Sequence, residues 1–161
     1  PNMKIEALIP DFQGNMDLVE KICDAGLDVL AHNLETVESL QHHIRPQCRY
    51  IWSLDTLKTA SFKKDLIVKS SLMLGLGEKE NEVINTMKDV VDSGCQILSL
   101  GQYLRPSVRH TEVIEFIHPN QFLKYKQIGE SLGLAHVEAG PLVRSSYMAD
   151  HQAKAVGIFK N

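Results

Sequence analysis

Five short apolar runs constrain this chain more than anything else in it. They are Ile5–Pro10, Asp28–Asn33, Leu66–Leu74, the stretch QILSLG at 96–101 and the stretch AHVEAG at 135–140. A strand with one wet face alternates apolar and polar residues; a continuous apolar run belongs to a strand covered on both faces. Helical patterns separate the runs. Asn15 offers an N-cap ahead of Leu18, Val19 and Ile22, and Gly26 stops that helix. TVESLQHHI (36–44) is halted before Arg45-Pro46, and SLDTLKTA (53–60) reads as a short helical piece. Val83, Ile84, Met87, Val90 and Val91 recur at helical spacing up to Gly94. Pro119 opens a last helix with Phe122, Tyr125, Ile128 and Leu132 inward and Gly133 at its end. The predicted order is β-α-β-α-β-α-β-α-β, an α/β fold with a parallel sheet in a single domain over 1–161.

Composition matters here only for what it excludes. A net charge of -3 gives no general attraction to nucleic acid or to an anionic membrane. No apolar run approaches the length of a membrane span. Cys23, Cys48 and Cys95 are an odd, scattered set without CxxC spacing, which argues against a disulfide framework.

Polar residues gather where the apolar runs end: Asp11 after the first, His32, Asn33 and Glu35 after the second, Gly75, Gly77 and Glu78 after the third, Gln102, Tyr103 and Arg105 after the fourth, Arg144, Ser145 and Ser146 after the fifth. Carboxyl ends of parallel strands are where α/β folds place their sites. Alternation points His32 and Leu34 one way and Asn33 and Glu35 the other, so Asn33 and Glu35 share a face able to bond a polyol; a capped helix start is the competing reading. Gly75-Leu76-Gly77 lacks the third glycine of a dinucleotide fingerprint and is followed by no GKS or GKT, so it is no P-loop. There is no HExxH, and His42 and His43 are adjacent rather than four apart. Ser145 and Ser146 do not stand in a G-x-S-x-G elbow. Arg105, Arg109 and Arg144 are suited to a carboxylate or phosphate.

The segments IEALIPDFQGN, AHNLETV, Arg45-Pro46, SLMLGLGE, LSLGQYLRPS and GPLVRSSY occur here in an order that resembles the lipoyl synthases, radical S-adenosylmethionine enzymes. The resemblance implies the C-terminal part of a partial parallel (β/α)6 TIM-like barrel, followed by a tail that contributes to a cluster. It implies insertion of two sulfur atoms, at C6 and C8 of a protein-bound octanoyl group. The implied cofactors are S-adenosylmethionine and two [4Fe–4S] clusters. The implied partners are an octanoylated lipoyl carrier domain (E2 of a 2-oxoacid dehydrogenase or the glycine cleavage H protein) and an electron donor for cluster reduction. The implied location is bacterial cytoplasm, or mitochondrion or plastid in a eukaryote. Carried over by motif, Asn33, Glu35, Arg45, Lys69, Gly75, Gly77, Glu78 and Gln102 are expected around the S-adenosylmethionine, Ser146 as an iron ligand and Arg144 beside it.

The family's CxxxCxxC and upstream CxxxxCxxxxxC motifs are not in these 161 residues. The chain, starting at Pro1, is therefore expected to be part of a longer enzyme, unable to assemble either cluster alone and prone to self-association along its first strand. A folded binding piece without turnover is the alternative. A third reading, an aldolase-like half-barrel with Lys69 as Schiff-base lysine, lacks any further support.

Overall fold

The computed structural model describes residues 3–157. Five parallel strands form one sheet in the order β1-β2-β3-β4-β5: β1 (Glu6–Leu8), β2 (Val29–Ala31), β3 (Ile67–Leu74), β4 (Ile97–Gln102) and β5 (His136–Gly140). Helices α1 (Met16–Cys23), α2 (Glu38–Ile44), α3 (Tyr50–Ser61), α4 (Glu80–Asp92) and α5 (Pro119–Leu132) fill the crossovers, and α6 (Ala149–Ala155) follows β5. All five apolar runs contain a strand, and strand order equals sequence order.

The core lies between one face of the sheet and the helices. Leu30 pairs with Val68 across β2–β3, and Ser70, Leu98 and Val137 stand in register across β3 to β5; all five are fully buried on this face. Val19 from α1, Leu57 and Ala60 from α3, Val83, Met87 and Val90 from α4, and Phe122 and Tyr125 from α5 cover them. The side chains that alternate with this row point to the other face. There Lys69, Ile97 and His136 stand in register, and Ser71, Ser99 and Glu138 form the row above. The C-terminal tail crosses this second face. The Val143 carbonyl lies so close over Gly101 that a Cβ there would meet it. Ala149 and Ala153 of α6 flank a cavity of about 180 Å³ beside Glu6 and Val29.

Three elements depart from the sequence reading. The first run was expected as a buried strand; β1 is largely exposed because it is the sheet edge, paired only with β2. Ile5 and Leu8 are exposed along it, the kind of edge that invites association. The piece read at 53–60 is a twelve-residue helix, α3. Its inner stripe is Tyr50, Ser53, Thr56, Leu57 and Ala60, so hydroxyl-bearing residues hide the apolar period. Thr56 donates to the Trp52 carbonyl within the helix at 2.8 Å, which satisfies one of these hydroxyls. Helix α6 gave no signal in sequence, because the residues it buries are Gln152 and the small Ala153.

Candidate functional site

Of the five strand ends, those of β2, β3 and β4 meet around one cleft; Asp11 after β1 and the 144–146 tail after β5 are not in its lining. Past β2 the chain does not leave the sheet at once. His32 N–H donates to Lys69 O at 3.0 Å, Glu35 N–H to Ser71 O at 3.0 Å, and Met73 N–H to Glu35 O at 2.8 Å. Glu35 takes a positive φ of 70° to do this. The alternation is as read: His32 and Leu34 are buried, Asn33 and Glu35 half-buried. Asn33 Nδ2 donates to Glu35 Oε1 at 3.1 Å. From the end of α2, Arg45 Nη1 donates to the carbonyls of Asn33 (3.0 Å) and Leu34 (3.3 Å), fixing this bend from behind.

A cleft of about 510 Å³ opens at the carboxyl ends of β2, β3 and β4, lined among others by Glu35, Arg45, Met73, Tyr103, Arg109 and Thr111. Its outer wall is the segment 103–118, which carries no helix or strand but is held by its own side chains. Tyr103 Oη donates to Thr111 O at 2.9 Å. Arg105 Nε donates to His110 O at 2.9 Å, and Nη2 to Val108 O at 2.6 Å. Arg105 is therefore spent on the loop, whereas Arg109 lines the cleft. Met73 and Thr111 were not singled out in sequence; Met73 was findable as the last residue of β3 on the Lys69 face.

Behind the cleft wall lies the glycine turn. Glu78 accepts from Gly75 N–H at 2.6 Å and from Leu76 N–H at 2.9 Å, so its carboxylate staples its own turn. Gly75 O accepts from the N–H groups of Ile114 and Glu115. A Cβ on Gly77 would touch Ile114. Gln102 is buried among the same atoms. Gly75, Gly77, Glu78 and Gln102 are thus brought together, around the 112–117 segment. Lys69 stands elsewhere, four residues down β3 from Met73, roughly 13 Å at strand rise, where its ammonium meets Glu6 Oε1 at 2.9 Å. In the tail Arg144 bends back onto Val143 O at 2.6 Å and lies over Gly101. Ser146 is exposed in the turn before α6.

Next to the cleft is a buried group of acceptors. The His32 ring Nδ1 lies 2.9 Å from Ile9 O. A carbonyl only accepts, so Nδ1 carries the proton and Nε2 presents a bare lone pair. Nε2, Asp11 Oδ2 and Asn33 Oδ1 are buried without a hydrogen-bond partner. Burial holds the His32 pKa below the usual histidine value, with Arg45 pushing the same way against the Ile9 bond and Asp11. Above about pH 6.5 the ring is neutral in both states. As pH falls below that, the unfolded chain binds a proton that the folded chain refuses, so stability falls with a slope of up to ~1.4 kcal/mol per pH unit. The expected result is a lower urea midpoint at pH 5.5 than at pH 7. The drop is smaller in His32→Asn, whose Nδ2 can still donate to Ile9 O.

No family model matches the chain. Curated relatives do. Lipoyl synthase of Caldanaerobacter subterraneus subsp. tengcongensis is 49% identical over 151 residues, 93% of this chain and 53% of that protein. The chain is homologous to the C-terminal portion of lipoyl synthases. The mitochondrial lipoyl synthase of Nematostella vectensis is 47% identical over 150 residues, again 93% of this chain and 52% of its own length. The chain spans about half the length of the curated lipoyl synthases it matches. Among solved structures, hydroxymethylglutaryl-CoA lyase from Pseudomonas aeruginosa aligns with a TM-score of 0.57 over 85% of this chain and 44% of that one. At 16% identity that likeness shows the fold alone, a parallel α/β arrangement of the TIM-barrel type. Among the described residues no helix is long and apolar enough to cross a membrane.

Proposed function

We propose that these residues are the C-terminal part of a radical S-adenosylmethionine lipoyl synthase, forming one domain over 1–161. The complete enzyme places two sulfur atoms at C6 and C8 of an octanoyl group on a lipoyl carrier domain, E2 or H protein, and draws on an electron donor. It works in bacterial cytoplasm, or in a mitochondrion or plastid. The observation that carries this is the near-50% identity to lipoyl synthase along 93% of the chain.

The cleft fits the cofactor's amino-acid end. Glu35 and Arg45 put a carboxylate and a guanidinium on one lining, and Asn33 Oδ1 beside them lacks a donor. A zwitterion meets both charges, and Tyr103 and Met73 supply apolar wall for the rest. When bound, S-adenosylmethionine supplies the radical chemistry. Glu35, Arg45 and Asn33 hold and orient it. Gly75, Gly77, Glu78 and Gln102 act one layer back, by holding the wall it rests on, and Lys69 holds β1 to the sheet through Glu6.

The thiols do not fit an iron–sulfur cluster. Cys23 and Cys95 are buried, Cys48 is half-buried, and none is bonded to another. Among the described residues no three His, Cys, Asp or Glu side chains stand together as a metal-holding group. Cluster ligation needs thiolates, and burial pushes the Cys95 thiol up to about 12. Ser146, exposed and flanked by Arg144, is the residue this chain offers to a cluster whose thiolates come from outside these 161 residues.

The separation of cofactor cleft from cluster thiols favours one form of the reading: the chain alone binds S-adenosylmethionine and does not turn over. Calorimetric titration with S-adenosylmethionine should give saturable binding, weakened about tenfold by Glu35→Gln, which keeps the Asn33 bond but loses the charge. An absence of saturable binding, or equal affinity in the variant, would overturn the assignment of the cleft.

A further inference from the structure

Gln102 ends β4 and is buried, yet all of its side-chain hydrogen-bonding groups are engaged. Nε2 donates to Tyr103 O at 3.0 Å and to Glu115 O at 3.0 Å. Oε1 accepts from Ile117 N–H at 2.9 Å. Tyr103 starts the irregular segment, and Glu115 and Ile117 end it. Tyr103 itself lines the cleft, as do Arg109 and Thr111 between the two ends. One amide therefore ties both ends of a loop that makes the outer wall of the cleft. Gly75 backs the same neck by accepting from Ile114 and Glu115.

We propose that Gln102 is a positioning residue that closes the neck of the 103–117 segment, so that the outer wall of the cleft stands preformed before a ligand arrives. It touches no ligand itself. The chemistry explains the residue type. The neck presents two carbonyl oxygens and one N–H, and a primary amide offers two N–H donors and one acceptor in one planar group. A carboxylate of the same shape would face two carbonyls with lone pairs alone. A methionine would leave three buried backbone groups unmet. A preformed wall also spares binding the entropy of ordering these residues. The inference rests on the reading of the cleft only for the ligand used as a probe.

The test is Gln102→Glu on the 161-residue chain, followed by amide protection factors across pH. At neutral pH the carboxylate repels both carbonyls, and the Ile114 and Glu115 amides should lose at least tenfold in protection. Val68 and Leu98 in the sheet should keep theirs. Facing carbonyls in a buried place raises the pKa of the new carboxyl. Lowering the pH should therefore protonate it, return one donor and restore part of the neck protection. Loss of packing alone would not respond to pH, because the shape is unchanged. Gln102→Met carries the test if the glutamate variant does not fold at neutral pH: it should lose neck protection at every pH. S-Adenosylmethionine affinity should fall in both variants. Wild-type protection at Ile114 and Glu115 in either variant overturns the clamp, as does a loss in Gln102→Glu that ignores pH. If the unaltered chain binds no S-adenosylmethionine, the reading of the cleft falls while the exchange data still judge the clamp.

Discussion

Replacing Glu6 with alanine is expected to cost about 3–5 kcal/mol of unfolding free energy, the usual penalty for stripping the partner from a buried ion. Lys69 is 1% exposed in the middle of β3, and Glu6 Oε1, at 2.9 Å, is its ionic partner among the described residues. Glu6 keeps about a quarter of its side-chain surface, so water reaches its carboxylate, whereas the Lys69 ammonium is shut away from water. The asymmetry predicts an ordering. Glu6→Ala alone is severe, while Glu6→Ala with Lys69→Met returns most of the loss, since no buried charge remains and methionine fills the lysine stem's volume. Urea midpoints at unchanged slope report it. A domain of ordinary stability has ~5–15 kcal/mol in total, so the single variant approaches the unfolding threshold. A loss below 1 kcal/mol for Glu6→Ala would show that the ammonium finds another acceptor. Because the pair joins the edge strand to the centre of the sheet, β1 amides should lose protection first.

This pair also marks where the sequence stops being legible. Lys69 stands out locally as a lysine inside an apolar run, and in sequence it is expected at the cofactor or as a Schiff base rather than in an ion pair. Its partner lies 63 residues earlier, on a strand two places away in the sheet. That pairing depends on register, which local pattern does not encode. The same boundary runs through the site. The alternation His32–Asn33–Leu34–Glu35 follows from a period of two and holds. The grouping of polar residues at strand ends follows from strands being parallel, and it places the cleft. Gly75 and Gly77, expected around S-adenosylmethionine by motif, leave room for a close approach to the backbone. The room is real, but a backbone segment some forty residues later fills it. Glycine declares a close approach and does not declare by what. The full length of hydroxyl-rich α3, of which only 53–60 reads as helical, and the whole of α6 escaped for another reason: hydrophobic period carries the signal, and their inner faces are not hydrophobic enough to show it.

Two glycines in that turn give a matched comparison, and the second large effect is expected at one of them. Gly75 and Gly77 have nearly the same positive φ, 99° and 101°. An alanine at either pays for a backbone that L-residues avoid, about 1–2 kcal/mol. Their surroundings differ. A Cβ on Gly75 would run into Glu115 O and Gln102 Nε2, both tied to each other in the neck of the loop. A Cβ on Gly77 would meet Ile114 Cγ1 at 3.6 Å, ordinary contact. Overpacking against fixed atoms adds ~1–3 kcal/mol. Gly75→Ala should therefore cost about 2–5 kcal/mol and Gly77→Ala only the backbone part. The difference is the steric share. It should come with lost protection at Ile114 and Glu115 and weaker S-adenosylmethionine binding in Gly75→Ala alone. Equal costs in the two variants would mean that the 112–117 segment yields freely to a methyl group. The cleft would then have a movable wall.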